Sequence, residues 1–144
     1  MKVQYKLMLL IIFALGCGEV KVRKKCTTPR SSQQGQFDMI FTEVEGNCGS
    51  IDDLVVNLEL GVIYPNASLG CTTPNITWYK NQCKTTSVFN CDDGSWKTKM
   101  VWTIESDFQN PDRLHGVLST QLTRWSGVYS CNSVYQIEAS RLSE

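Results

Sequence analysis

The chain has one histidine, His115, among its 144 residues. It has no G-x-S-x-G, H-E-x-x-H, P-loop or dinucleotide fingerprint. Histidine pairs for a metal and a motif-borne nucleophile with its base are therefore absent, and nothing in the sequence argues for an enzyme. It also lacks a C-x-x-C pair. The closest cysteines are Cys83 and Cys91, which removes the short-spaced thiolate pairs typical of structural zinc. No metal or other cofactor is expected. Charge of either sign is not in excess, with 14 basic and 14 acidic side chains. Long hydrophobic runs are missing too. The uncharged stretch from Leu7 to Leu15 would span only about 14 Å as a helix, against about 30 Å for a bilayer's hydrocarbon core. It can direct export but not cross a membrane.

What is present at the N-terminus has the layout of a signal peptide over residues 1–16: Lys2 and Lys6, then the apolar run, then small residues at Ala14 and Gly16. The next residue is Cys17. The stretch Ala14-Leu15-Gly16-Cys17 resembles a bacterial lipobox, and the resemblance covers residues 1 to about 18. It implies that Cys17 becomes the first residue of the mature chain, carries a diacylglyceryl group on its thiol and fatty acyl such as palmitate on its amine, and holds the protein to the cell envelope, with the outer membrane expected. The partner implied is the lipid bilayer, reached through acylated Cys17. Each buried methylene contributes about 0.8 kcal/mol, so two or three chains give lasting attachment where one would not. Cysteine arithmetic agrees. Of the seven cysteines, lipidation of Cys17 leaves six, an even set for three disulfides in an exported domain. The competing reading is a secreted eukaryotic glycoprotein or interaction module with an ordinary signal peptide, for which Asn66-Ala67-Ser68 and Asn75-Ile76-Thr77 offer glycosylation acceptors at Asn66 and Asn75.

Residues 17–35 read as the lipid anchor and a basic, flexible tether. Lys21, Arg23, Lys24, Lys25 and Arg30 stand there against Glu19, and a Lys or Arg near anionic headgroups contributes about 1 kcal/mol. Residues 36–144 read as a single domain, in which the acidic side chains outnumber the basic ones. That balance disfavours nucleic acid, whose binding rests on clustered cations.

In this body the apolar residues alternate rather than recur at helical spacing. Phe37, Met39 and Phe41 form one face, and Met100, Trp102 and Ile104 another. Leu114, Leu118 and Leu122 form a third, and Tyr129, Cys131, Tyr135, Ile137 and Ala139 a fourth. A longer strand is expected to place Leu54, Val56, Leu58, Leu60, Val62 and Tyr64 together, ending at Pro65-Asn66. Short extended pieces are expected near Ile76–Tyr79 and Thr85–Phe89. The expected fold is all-β: a small, disulfide-bonded antiparallel meander, with a lipocalin-like barrel favoured over a two-layer sandwich.

Cys83 and Cys91 are expected to close a small loop or hairpin, with Cys131 reaching Cys48 or Cys71 and Cys26 in the stalk. His115 falls on an outward strand face. Asp52-Asp53 and Asp92-Asp93 read as turn residues, the latter because Gly94 follows. Binding remains as the function, to an unknown small ligand or a protein. Trp102, Tyr129 and Tyr135 would line an apolar ligand site inside a barrel, whereas loops 65–75 and 106–112 would serve a protein partner.

Overall fold

The computed structural model describes residues 25–65 and 67–143. Cys17, the remaining residues of the tether before Lys25, and the acceptor Asn66 lie outside that set. Seven strands form one antiparallel sheet: β1 (Gly35–Gly46), β2 (Leu54–Leu58), β3 (Asn75–Tyr79), β4 (Lys84–Asp92), β5 (Trp96–Ser106), β6 (Arg113–Arg124) and β7 (Ser130–Arg141), in the order β2-β1-β7-β6-β5-β4-β3. Five of the six neighbour pairs are consecutive in sequence. The sixth joins the first strand to the last, with Phe37 opposite Arg141 and Phe41 opposite Ile137. The sheet is a curled half-barrel, a meander bent round until its ends face one another.

The sheet has an odd number of strands. Every neighbour pair is antiparallel, so six reversals separate β2 from β3 and these two edges run the same way. They cannot be joined by a hairpin. The connection between them must travel back along the opening, and its first part does so inside the curl. Here the strand expected to continue to Tyr64 breaks instead. Glu59 bridges Val62 across a turn at Leu60 and Gly61, which have φ of 52° and 82°, a pair of positive values that makes a tight reversal and favours glycine. A Cβ on Gly61 would collide with the side chains of Gln33 and Thr85. Val62 is then buried, and Tyr64 stands edge-on to Phe89 of β4, 6.4 Å between centroids. Segment 59–65 thus lines the inside of the opening.

The alternation expected for the long strands holds. Phe37, Met39, Phe41, Trp102, Ile104, Leu114, Leu118, Tyr135, Ile137 and Ala139 all enter the core, because one face of each strand is buried and the side-chain period is two. Gly116 interrupts the β6 series where the backbone of Thr103 and the side chain of Ile104 leave no room for a Cβ.

Both ends of the curl are plugged. At one end a 3-10 turn, Arg30–Gln33, inserts Gln33, which is fully buried. Its Nε2 donates to the Cys83 carbonyl at 2.7 Å and to the Ser106 hydroxyl at 3.1 Å, while its Oε1 accepts from the Thr85 hydroxyl at 2.7 Å. Arg141 clamps this turn by donating to the carbonyls of Ser32 and Gln34, each at 2.6 Å. Part of the stretch read as flexible tether, from Cys26 to Gly35, is therefore built into the body. A polar side chain with complete hydrogen bonding fills a core position as an apolar one would. At the other end the loop 47–53 folds inward, with the Tyr135 hydroxyl donating to the Gly49 carbonyl at 2.5 Å.

The disulfides are Cys26–Cys83, Cys48–Cys131 and Cys71–Cys91. The expected Cys83–Cys91 link is corrected. Residues 84–92 form a single extended strand, which separates those two cysteines by roughly 26 Å at about 3.3 Å per residue. Of the two partners considered for Cys131, the structure selects Cys48.

Candidate functional site

Of the three aromatics expected to line an internal site, two meet in the core. Trp102 is 8 % exposed and Tyr135 2 %, and Phe41 packs edge-on against Trp102 with centroids 6.1 Å apart. Val62 and the plugs described above fill the same interior. Tyr129 does not join them. Strand β7 starts one residue later, and Tyr129 sits 47 % exposed in the turn before it, edge-on to Trp96 at 5.7 Å. Its parity matched the inward face, but it lies beyond the last ladder pair, where parity no longer sets direction.

The outer face of the sheet is different in character. Register aligns Asn90, Lys99, Gln121 and Asn132 across β4, β5, β6 and β7. The next row toward the hairpin turns is Asp92, Lys97, Thr123 and Ser130. Two adjoining clefts follow these rows. One, of about 440 Å³, is lined by Thr72, Asn90, Lys97, Lys99, Gln121 and Thr123. The other, of about 310 Å³, shares Lys99 and Gln121 and continues to Asn132 and Glu45. Together they form one polar groove running across the strands. Thr72 reaches its edge because Cys71 is bonded to Cys91 and the Thr72 amide donates to the Asn90 carbonyl at 2.9 Å. The loop 65–75 singled out for partner binding contributes in this way, whereas the 107–112 turn lies at the other end of the molecule, where Asp112 pairs with Arg141.

The groove is flanked along one side by the β4–β5 and β6–β7 turns. In the first, Asp93 Oδ1 accepts from the amides of Ser95 and Trp96, and Asp92 Oδ1 from that of Gly94, so this acidic pair does serve a turn. In the second stand Trp125, 56 % exposed, and Val128, 89 % exposed. Trp125 is nonetheless fixed. Its Nε1–H donates to Asp92 Oδ1 at 2.9 Å, and the Lys97 ammonium lies 3.8 Å from its ring centroid. Cation and indole attract through the ring quadrupole.

The Trp125 indole N–H and then the Gly94 amide hold the Asp92 carboxyl below its ordinary 3.8, against an opposing effect of desolvation that exceeds the further lowering by the Lys97 charge. A carboxyl depressed in the folded state keeps its contacts above the ordinary value and loses them as pH falls through the folded one. We therefore expect the Trp125 indole N–H resonance to titrate with a midpoint below 3.8 and to lose that response in Asp92→Asn. A signal flat through this range in the native chain would contradict the contact.

His115 lies on the outer face as expected, with Asp107 Oδ2 at 3.7 Å from its Nε2 and more than half of its side chain in solvent. The Asp107 carboxyl is held low, first by the Gln109 amide. Asp52 and Asp53 are exposed in the loop before β2, and Asn75 is exposed on edge strand β3. The Asn90–Lys99–Gln121–Asn132 row was not found from sequence. Its only signal there was the outward parity of each strand, and which outward residues meet depends on register between strands.

The class defined by these features is a seven-stranded, disulfide-bonded half-barrel with a filled interior and a polar groove on its outer face. No family model, no curated protein and no solved structure matches the chain.

Proposed function

We propose that the protein is a lipid-anchored, non-enzymatic binding module of the bacterial cell envelope, tethered through acylated Cys17 and engaging its partner with the outer groove and the aromatic turns beside it. One observation carries the reading. The chain enters the body at Cys26, bonded to Cys83 at the start of β4, whereas the groove and Trp125 sit beside the far end of that strand. A tether fixed at one pole leaves the other, with its exposed aromatics, directed away from the attachment point. Tryptophan, tyrosine and arginine are the side chains that most often dominate interface energetics, and Trp96, Trp125, Tyr129 and Arg124 gather there. Among the described residues no helix is long and apolar enough to cross a membrane, so attachment in this reading rests on the lipid.

Intact mass of the mature native protein tests the anchor. The expected species begins at Cys17, carries diacylglycerol and an N-acyl chain, and gains six hydrogens on reduction of its three bridges. Cys17→Ser should then move the protein from the membrane to the soluble fraction. A bare thiol at Cys17, or membrane association that survives the substitution, would refute it. The secreted-glycoprotein reading draws support from the exposure of Asn75 and would appear in the same spectrum as hexose-containing mass on that residue.

A further inference from the structure

We propose that the outer groove is a binding site for an extended oligosaccharide bearing a carboxylate, a reading that rests on the surface-binding function above and names its ligand. Three properties of the groove select that chemistry.

The first is the uncommitted polar row. Asn90, Lys99, Gln121 and Asn132 stand at successive register positions on four neighbouring strands, hence at a spacing of about 4.8 Å each. Among the described residues none of these four side chains makes a hydrogen bond or ion pair within the protein. The ion pairs there are His115–Asp107 and Arg141–Asp112, both at the opposite end. Three of the four side chains end in planar amides and all four stand on strands already paired in the ladder, so binding must order side chains but not backbone. A planar amide offers both donors and an acceptor, the complement of adjacent sugar hydroxyls, and the row repeats this along its length.

The second is direction. The groove runs across the strands, over backbone groups already paired in the ladder. A peptide recognised through its main chain adds itself along an open sheet edge instead. A ligand lying here must bring its own regularly spaced polar groups, and a chain of linked sugar rings does so. Trp125, anchored by Asp92 and more than half exposed beside the groove, supplies a flat apolar surface for one ring face.

The third is charge. Lys97 faces Trp125 and shares its surroundings with Asp92, but Lys99, in the middle of the row, has no carboxylate within ion-pairing distance among the described residues. Glu45 lies at the far rim, beyond Asn132. The groove therefore places Lys97 and Lys99 on β5 between Asp92, which is engaged by the Trp125 N–H, and Glu45 at the distant end, which suits a ligand with its carboxylate set over β5.

The test is calorimetric titration of the mature full chain in detergent with three probes: tetragalacturonate, a neutral tetramer of glucose, and tetraglutamate. Tetragalacturonate is expected to bind and to outcompete both others. Lys99→Ala should weaken it by at least about tenfold and abolish its preference over the neutral sugar, while Asn90→Ala with Gln121→Ala should weaken both sugars. Lys80→Ala, an exposed lysine at the tethered end, should bind as the native chain does, and circular dichroism should show every variant folded. Binding of no sugar, equal binding of tetraglutamate, or groove variants that bind like the native chain would each overturn the proposal. Cys17→Ser is expected to leave sugar binding intact, so failure of the anchor and failure of the groove read out separately.

Discussion

Replacing Cys48 and Cys131 together by alanine should lower the unfolding free energy by roughly 4 to 5 kcal/mol, the chain-entropy value for a loop of this size. The bond closes a separation of 83 residues, so its loss releases most of the domain's length in the unfolded state. Total stability for a domain is about 5 to 15 kcal/mol, and the variant should be near the limit of folding. With a urea slope of about 1 to 3 kcal/mol per molar, the midpoint should fall by about 2 M. The native contacts point the same way. The bridge fastens loop 47–53 to β7 at the end of the β1–β7 ladder, next to the Cys48 amide that donates to Ser133 Oγ at 2.8 Å and the Ser133 hydroxyl that donates to Glu43 at 2.6 Å. Removing Cys71–Cys91, with a separation of 20, should cost about 1 kcal/mol less by the same relation. Urea titration of both variants without reductant decides the matter. Equal midpoints for the native chain and the Cys48/Cys131 variant would show that the closure contributes nothing.

The second large effect is expected at Gln33. Gln33→Leu should destabilise by about 1 to 3 kcal/mol, the cost of leaving buried polar groups under-satisfied. The Cys83 carbonyl loses the shorter of its two donors, keeping the Ser106 amide at 3.0 Å, and the Thr85 hydroxyl loses its nearest acceptor. The Thr85 hydroxyl keeps only a longer contact to the Leu60 carbonyl at 3.3 Å. If the cost is one of unsatisfied groups rather than shape, Thr85→Val in the Gln33→Leu background should recover stability, with a coupling above about 1 kcal/mol in the double-mutant cycle. Strictly additive changes would show instead that the two side chains act independently. The consequence extends to the opening of the half-barrel. The Gly61 amide donates to the Gln33 carbonyl at 2.7 Å and Arg30 Nε to the Leu60 carbonyl at 3.1 Å, so the same turn that plugs the end also holds segment 59–65 in place.

Much of the fold was legible in the residue pattern and the exceptions are instructive. The alternations at Phe37–Phe41, Met100–Ile104 and Leu114–Leu122 predicted strands and faces correctly, because a half-buried strand repeats its environment every second residue. The same rule extended Leu54–Leu58 too far, to Tyr64. Gly61 falls inside that expected strand, but it takes a positive φ in a tight reversal, where Gln33 and Thr85 leave no room for a Cβ. Gln33 itself falls in the expected linker, since nothing local distinguishes a polar residue that will find partners on β4 and β5 from one that stays in water. Of the site, the turn role of Asp92-Asp93 was visible from Gly94. The groove was not.

By itself the sequence determined the all-β class, the inward face of each long strand and the antiparallel neighbour pairs of β4 to β7, all of which arise from side-chain periodicity and short turns. Only the tertiary structure decided the closing β1–β7 ladder, the three disulfide partners, the burial of Gln33 and the row from Asn90 to Asn132. Each of these depends on which residues distant in the chain are brought to the same height, and that follows from strand register and curl, which local periodicity does not encode.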